Sequence, residues 1–286
     1  MPEPVYYLNG RFCSKDQALI SPLDRAFLMG DAIYEVVRVQ NSRLFCAPAH
    51  YDRMATGLNA LSIPNPLTRE QFLALLLDLA RRNNVVNGSV YLQITRGVTA
   101  RTHLMPKDLT PTLFGCATSL DVIPPWKPWP NGVPVVTFPD IRWGRCDLKT
   151  TMLLPNSMGK QKAKDAHAFE AIFVAQDGTV REGTSSSLMA VWGGALRGHP
   201  MNQHVLPGIT RQLVVKLAKQ DGIKVIEEPF SLDQLLKADE AFLTGTTTDI
   251  APIATVDGRP LAASPGPLTR RLMALYDKAL KEETGG

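Results

Sequence analysis

Residues 142–154 read RWGRCDLKTTMLL, a polar segment that places one lysine, Lys149, just before an apolar run. The apolar residues 133–138 precede this segment and predict a β-strand. A lysine becomes an imine-forming nucleophile when burial or nearby positive charge favours its neutral form, and Arg142 and Arg145 could supply that charge. Because most lysines lie on the surface, the stretch alone fits an ordinary exposed lysine as well. Lys149 is therefore a candidate nucleophile that needs partners elsewhere in the chain.

The size and composition indicate a globular protein of one large or two medium domains. The chain has 286 residues, of which 44% are hydrophobic and 20% charged, and no apolar run approaches the roughly 20 residues of a membrane helix. The net charge of +4 comes from short, separated basic clusters, which argues against nucleic-acid binding. The four cysteines are scattered without a Cys-x-x-Cys pair, so neither a metal site nor a disulfide framework is predicted. The amino terminus lacks the features of a signal peptide, and the expected location is the cytoplasm.

Turn residues and helical periodicity predict a mixture of strands and helices. Asn9-Gly10 lies between two short apolar runs and predicts a β-hairpin. Residues 68–71 have the capping-box pattern ahead of an amphipathic helix. Further helices are predicted near residues 160–169 and from Thr210, whose side chain is expected to cap its own helix.

A proline-rich segment predicts where the chain divides. Residues 121–132 contain four prolines, which exclude a regular helix or a central strand. We predict an amino-terminal α+β domain at residues 1–120, a linker at 121–132 and a second domain at 133–286.

The segment around Lys149 resembles the lysine segment of the class IV, pyridoxal-phosphate-dependent aminotransferases, and within them that of the D-amino acid transaminases. The resemblance extends over nearly the whole chain. It implies an α+β, two-domain protein of fold type IV, with a smaller amino-terminal α+β domain and a larger carboxy-terminal α/β domain of pseudo-barrel form. It also implies a homodimer in which Lys149 holds pyridoxal 5′-phosphate as a Schiff base and moves the proton in catalysis.

The resemblance assigns the cofactor contacts to several segments. Residues 179–187, TVREGTSSS, are similar to the family segment whose glutamate faces the cofactor ring nitrogen. Residues 206–211, LPGITR, are similar to the segment that binds the phosphate at a helix start, where backbone N–H groups and the helix dipole favour an anion. A strand-end glutamate, a plain helix cap and a surface arginine would show the same residue types without a ligand. The cofactor contacts implied are Lys149, Arg53, Glu182, Ser185, Ser186, Leu206, Ile209, Thr210 and Thr246.

Three residues depart from the family pattern. The family generally has asparagine at the positions of Met152 and Ser187, and Pro155 interrupts the expected helix start after the lysine. None of these changes removes a predicted catalytic group.

A separate set of residues indicates the substrate. Residues 95–103, TRGVTARTH, resemble the D-amino acid transaminase segment in which an arginine and a histidine, here Arg101 and His103, bind the substrate carboxylate. Tyr34, in an Asp-x-x-Tyr-Glu pattern, is the third member of the set. An exposed loop and a half-buried strand tyrosine would carry the same residues without this function. The resemblance implies a D-amino acid:2-oxo acid aminotransferase of the D-alanine/2-oxoglutarate type, a transaminase with small D-amino acids and 2-oxo acids as its substrates.

Other activities share the scaffold. Branched-chain L-amino acid aminotransferases and aminodeoxychorismate lyases have the same fold, so the fold does not settle the function. Arg101 with His103 favours the D-specific group, because the other groups place their carboxylate-binding residues differently. A pyridoxal phosphate carrier without turnover would have no use for Lys149, Glu182 and a carboxylate-binding set together.

Overall fold

The computed structural model of the chain describes residues 3–119 and 129–285. The predicted linker, residues 121–132, lies largely outside these residues, so the linker and the predicted domain limits stay predictions. The described residues form two compact units, one of residues 3–119, 148–152 and 280–285 and the other of residues 129–147 and 153–279.

The segment that carries Lys149 belongs to the first unit, although the sequence predicted it within the second domain. The side chain of Leu148 is buried in the apolar core of the first unit. Thr150 forms a β-bridge with Ile33, and the backbone N–H of Tyr34 donates to the carbonyl of Lys149 at 3.0 Å. These contacts join residues more than a hundred positions apart, which is why local sequence patterns did not reveal them.

The first unit contains an antiparallel sheet and helices that are, in chain order, β1 (Tyr6–Leu8), β2 (Arg11–Cys13), α1 (Arg25–Met29), β3 (Ala32–Gln40), β4 (Arg43–Phe45), α2 (Ala47–Ala60), α3 (Arg69–Arg82), β5 (Gly88–Thr95) and β6 (Leu113–Ser119). The strand order is β2-β1-β6-β5-β3-β4. The predicted hairpin of β1 and β2 is confirmed, and its turn residues Asn9 and Gly10 have φ values of 46° and 90°, as a type I′ turn requires.

The predicted capping-box helix is also confirmed. The Thr68 hydroxyl accepts from the backbone N–H of Gln71 at 3.3 Å, and the Gln71 side chain accepts from the backbone N–H of Thr68 at 2.9 Å. The helix buries Phe72 and Leu76 on one face against the sheet. This packing holds the sheet on which Tyr34 lies.

The second unit contains a mixed sheet and helices that are, in chain order, β7 (Val133–Pro139), α4 (Leu154–Asp165), β8 (Glu170–Val174), β9 (Val180–Gly183), β10 (Ser187–Trp192), β11 (Ala195–Gly198), α5 (Ile209–Gln220), β12 (Val225–Glu227), α6 (Leu232–Leu235), β13 (Glu240–Gly245), β14 (Asp249–Val256) and β15 (Arg259–Pro260). The order is β12-β11-β10-β13-β14-β7-β8-β9, and β15 pairs with β14. The last helix, α7, spans Pro267–Thr284.

Two predicted helix starts are wrong. The helix expected near residues 160–169 begins earlier, at Leu154, and ends at Asp165. Pro155 does not break this helix, because its first turn has no use for the N–H group that proline lacks. Thr210 does not cap α5 either: the cap residue is Gly208, which has no side chain to accept from the helix start.

None of the helices among residues 3–119 and 129–285 is long and apolar enough to cross a membrane. Over the same residues, no cluster of three histidine, cysteine, aspartate or glutamate side chains has a geometry that could hold a metal ion.

Candidate active site

The structure brings Lys149 and Tyr34 together in the first unit. The Lys149 Nζ atom lies 4.2 Å from the centroid of the Tyr34 ring, within the range of a cation–π contact. Another neighbour of the Tyr34 ring is Tyr91, whose ring centroid lies 5.4 Å away in a stacked arrangement. Lys149 is half-buried. The predicted nucleophile and one predicted carboxylate-binding residue are therefore in contact within the first unit.

Arg53 is fixed by a buried carboxylate that the sequence analysis did not identify. Glu35 is fully buried, and its two oxygens accept from Arg53 Nε and Nη2, each at 2.7 Å. His50 Nδ1 lies 2.7 Å from Glu35 Oε2. A signal was present, because His50 and Arg53 are three residues apart on one helix face and Glu35 lies in a strand of mainly apolar residues.

The Glu35 cluster has a defined protonation state. Burial alone would raise the pKa of Glu35, but Arg53 and His50 outweigh it and lower the pKa to about 2. Burial also lowers the pKa of His50, and Glu35 only partly offsets this. Glu35 is thus ionised, and the neutral imidazole of His50 donates its Nδ1–H to it. Two hydrogen bonds to the ionised Glu35 carboxylate orient the Arg53 guanidinium.

Arg101 and His103 are both exposed in the loop between β5 and β6. Within residues 3–119 and 129–285, no hydrogen bond or ion pair connects either side chain to Tyr34 or Lys149. The carbonyl of Thr102, which lies between them, accepts a hydrogen bond from Arg25 Nη1 at 2.8 Å. The structure thus anchors the backbone of this pair and leaves its side chains accessible.

In the second unit, Glu182 is held by two donors. Arg142 Nη1 lies 2.5 Å from Glu182 Oε1, and the backbone N–H of Leu206 lies 3.1 Å from both carboxylate oxygens. Burial raises the pKa of Glu182, and Arg142 and Leu206 offset this only in part. A carboxylate in this state favours a further cationic or hydrogen-donating neighbour.

Arg142 has a different role from the one the sequence suggested. It was interpreted as a positive charge near the candidate lysine, but its guanidinium binds Asp140 through Nε and Nη2, each at 2.9 Å, in addition to Glu182. Its Cζ atom lies 4.2 Å from the Phe173 ring centroid. Arg142 is therefore the ion partner that orients Glu182.

The start of α5 offers backbone donors for an anion. Its cap residue, Gly208, has no side chain that could accept from the first turn, where Ile209 and Thr210 are both buried. A Cβ added at Gly208 would lie 2.5 Å from Ser187 Oγ, so the helix start approaches β10 at a distance that glycine permits. Ser187 is in register with Thr244 of β13, and Thr246 follows in the turn after that strand.

The Thr244 side chain of β13 adds a polar atom to this region. The buried Thr244 hydroxyl has no hydrogen-bond partner within residues 3–119 and 129–285. An uncapped helix start, nearby threonines and an unsatisfied hydroxyl match the donor set that a phosphate group requires. Of the residues predicted to bind the phosphate, Ile209 and Thr210 lie at the start of α5, and Thr246 lies in the turn that follows β13.

Ser185 and Ser186 have a structural partner. Their hydroxyls donate to Glu170 Oε2 at 2.8 and 3.3 Å, and the Thr184 hydroxyl donates to Oε1 of the same buried carboxylate at 2.5 Å. Glu170 thereby fixes the turn that follows Glu182. No sequence pattern indicated this carboxylate, and a cofactor contact for Ser185 and Ser186 stays a prediction.

Met152, which stands where the family generally has asparagine, packs against Gly30 within the first unit. Gly30 has a φ of 68°, and a side chain at Gly30 would overlap that of Met152. The larger residue at 152 therefore packs where Gly30 has no side chain.

Comparison with known proteins gives a consistent result. The family profile described as amino-transferase class IV matches residues 32–256. A D-alanine aminotransferase from Bacillus licheniformis is 36% identical over 277 residues, which are 96% of this chain and 97% of that protein. Among solved structures, the branched-chain amino acid aminotransferase of Escherichia coli superposes with a TM-score of 0.87 at 23% identity, covering 99% of this chain and 96% of that one. A branched-chain aminotransferase from Thermoproteus uzoniensis, solved with norvaline, gives a TM-score of 0.86 at 24% identity, covering 98% and 96%. The predicted α+β fold class is confirmed.

Proposed function

Because the chain belongs to the class IV aminotransferases, we propose that it transfers amino groups between D-amino acids and 2-oxo acids with pyridoxal 5′-phosphate bound at Lys149. The observation that carries this proposal is the placement of Lys149 Nζ 4.2 Å from the ring centroid of Tyr34. The amine proposed to react with the cofactor thus lies beside a residue of the proposed substrate-carboxylate set. The D-alanine aminotransferase of Bacillus licheniformis, 36% identical over almost the full length, supports the choice of substrate.

The residues of the second unit fit the cofactor. Glu182 is a buried carboxylate of raised pKa, fixed by Arg142 and Leu206, and it suits a protonated ring nitrogen. The uncapped start of α5 with Thr210, together with Thr246, would hold the phosphate, and Leu206 would lie against the ring. Arg53, whose guanidinium binds Glu35 at two points, is also proposed as a phosphate ligand. When bound, the cofactor supplies an electron-withdrawing ring that accepts the charge left on the substrate α-carbon.

The side chains of the protein would then bind the substrate and transfer protons. Lys149 Nζ would hold the cofactor in the resting enzyme and would take up the proton of the substrate α-carbon during the reaction. Glu182, kept in place by Arg142, would stabilise the protonated ring nitrogen. Arg101, His103 and Tyr34 bind the substrate carboxylate, which together with the amine fixes the side on which the α-hydrogen lies.

The likeness to branched-chain enzymes does not favour a second function. At 23% and 24% identity it is a likeness of fold, and the same scaffold serves more than one reaction. A preference for branched L-amino acids is thus an outcome of the test below rather than a competing proposal.

We also propose a cytoplasmic homodimer. The half-buried thiols of Cys13, Cys116 and Cys146 suit a reducing compartment. Leu19 and Phe27 are 77% and 75% exposed, and a subunit contact would bury them. Light scattering at several protein concentrations tests the dimer.

A paired spectral titration tests the activity. Purified protein loaded with the cofactor is expected to lose its visible absorption band on addition of D-alanine and to regain it with 2-oxoglutarate. L-leucine at the same concentration serves as the matched comparison. A band that responds to L-leucine and not to D-alanine would replace the proposal with a branched-chain activity.

A further inference from the structure

The loop that carries Arg101 and His103 is closed at its base. The backbone N–H of Thr95 donates to the Thr112 carbonyl at 2.9 Å. Gly97 has a φ of 108°, and a side chain there would overlap the Thr110 carbonyl, so the two ends of the loop touch at a residue that must be glycine. The base is therefore rigid, and the position of the middle of the loop depends on other contacts.

Arg25 supplies such a contact in the middle of the loop. Its Nη1 donates to the carbonyl of Thr102, the residue between Arg101 and His103, at 2.8 Å. Its Nε donates to Asp31 Oδ2 at 2.7 Å. Arg25 is only 3% exposed, and its backbone N–H also donates to the Gly97 carbonyl at 3.0 Å. One buried residue thus holds both the base and the centre of the loop.

Asp31 connects this anchor to the strand of Tyr34. It lies three residues before Tyr34, and it also accepts from Arg96 Nε and Nη2 at 2.7 and 3.1 Å. Burial alone would raise the pKa of Asp31, but hydrogen bonds from Arg96 and Arg25 lower it, so the carboxylate is ionised. Arg96 differs from Arg25 in its remaining contacts, because it donates to the carbonyls of Leu61 and Ser62.

We propose that Arg25 is a positioning residue for substrate-carboxylate recognition. Through Asp31 and the Thr102 carbonyl, it fixes the backbone of Arg101 and His103 relative to the strand of Tyr34. The inference rests on the proposed function, in which these three residues bind the carboxylate. Lysine could not replace Arg25, because the two contacts come from different nitrogens of one planar group. A small displacement of these binding groups lowers the affinity for the substrate carboxylate, since recognition depends on geometry.

The first measurement compares Arg25→Lys with the matched control Arg96→Lys. Both variants keep a cation beside Asp31, but only the first removes the donor to Thr102. Arg25→Lys is expected to raise the KM for D-alanine by about tenfold, the equivalent of about 1.4 kcal/mol, with kcat and the cofactor absorption unchanged. Arg96→Lys is expected to lower the melting temperature at least as much while leaving the KM near that of the wild type.

The second measurement, the rate of tryptic cleavage, tests how firmly the loop is held and does not depend on enzyme activity. Arg101 is exposed and is a trypsin site, so release of the loop should accelerate native-state cleavage after Arg101 in Arg25→Lys and not in Arg96→Lys. In an Arg101→Ala, His103→Ala background, Arg25→Lys should raise the KM no further, because the groups that it positions are absent.

The outcomes separate the two proposals. An active wild type with equal KM values in Arg25→Lys and Arg96→Lys, or an undiminished effect of Arg25→Lys in the double-alanine background, overturns the positioning role alone. Unchanged tryptic cleavage in Arg25→Lys overturns the anchor itself. A wild type that does not react with D-alanine overturns the proposed function, and the positioning role with it, whatever the cleavage rates.

Discussion

Arg142 Nη1 lies 2.5 Å from Glu182 Oε1, and both side chains are buried to more than nine-tenths. Glu182 also accepts from the backbone N–H of Leu206. The carboxylate is therefore oriented by two donors of the protein. Burial outweighs the charge of Arg142 and raises the pKa of Glu182, and loss of Arg142 would remove the largest opposing contribution.

Replacing Arg142 by methionine is expected to raise the pKa of Glu182 further and to lower turnover by about tenfold or more. Removing one partner of a buried ion pair typically costs about 3–5 kcal/mol, so the melting temperature should fall as well. The specific readout is the pH profile of kcat. Its acid limb should move to higher pH, because Glu182 would then ionise only at higher pH.

Arg145→Met is the control for this variant. Arg145 lies in the same segment and pairs with Asp147, but its side chain is 47% exposed, and an exposed pair contributes about 0–1 kcal/mol. An Arg142→Met enzyme with the pH profile of the wild type would show that Glu182 does not depend on Arg142.

Replacing Lys149 by arginine is expected to reduce transamination to background and to abolish covalent attachment of the cofactor. Arginine keeps a cation over the Tyr34 ring, so a lysine with only a structural role would tolerate the change. Borohydride reduction followed by peptide mapping should label residue 149 in the wild type alone. Lys164→Ala, at an exposed position of α4, should behave as wild type, and turnover in Lys149→Arg would remove Lys149 from its central role.

Local rules predicted the parts of the fold that depend on neighbouring residues. The Asn9-Gly10 turn and the Thr68 capping box each involve groups within a few positions, and both formed as expected. Thr210 and Pro155 were misjudged by the same rules. Threonine is a common cap but does not have to act as one, and proline excludes only the interior of a helix.

The site shows where sequence reasoning stops. Resemblance named Glu182 and Arg53, but their partners Arg142 and Glu35 lie 40 and 18 positions away and are joined to them only by the fold. Glu170 is a similar case, since it binds hydroxyls 14 to 16 residues further along. A buried charge requires a partner, yet a single sequence does not show which charges are buried.

The Glu35 cluster makes stability depend on pH in the acid range. A carboxyl whose pKa is lowered by folding stabilises the protein above its unfolded pKa of 4.5 and loses this contribution as the pH falls toward its folded pKa of about 2. Each unit of this difference corresponds to about 1.4 kcal/mol, so ionised Glu35 contributes on the order of 3 kcal/mol at neutral pH.

His50 acts in the same direction. Its pKa is lowered by burial, so below pH 6.5 the unfolded chain takes up a proton that the folded chain does not. The free energy of unfolding, measured with urea between about pH 7 and 3, should therefore decrease steadily. Glu35→Gln should be less stable at neutral pH and show a flatter decrease below pH 4.5, whereas the exposed control Glu228→Gln should follow the wild type. Parallel curves for Glu35→Gln and wild type would contradict this account.

In the proposed function, the substrate preference depends on Arg101 and His103. With the substrate amine held at the cofactor, a second anchor at the carboxylate would leave only the side chain and the α-hydrogen to be placed, and this would fix the configuration that reacts. Loss of a charged partner of a desolvated carboxylate costs about 2–5 kcal/mol, so Arg101→Ala should raise the KM for D-alanine tens-fold or more.

Lys107→Ala is a control for Arg101→Ala, because Lys107 is a third exposed basic residue in the loop between β5 and β6. If general positive charge attracted the substrate, Lys107→Ala and Arg101→Ala would raise the KM for D-alanine alike, and salt would remove the difference from wild type. If the pair binds the carboxylate directly, Lys107→Ala should leave the KM unchanged. The double variant Arg101→Ala, His103→Ala should then also narrow the ratio of D-alanine to L-leucine turnover, measured with 2-oxoglutarate as acceptor. Full D-alanine activity in the double variant would mean that the carboxylate is bound elsewhere, and that the stereochemical preference has its origin in other residues.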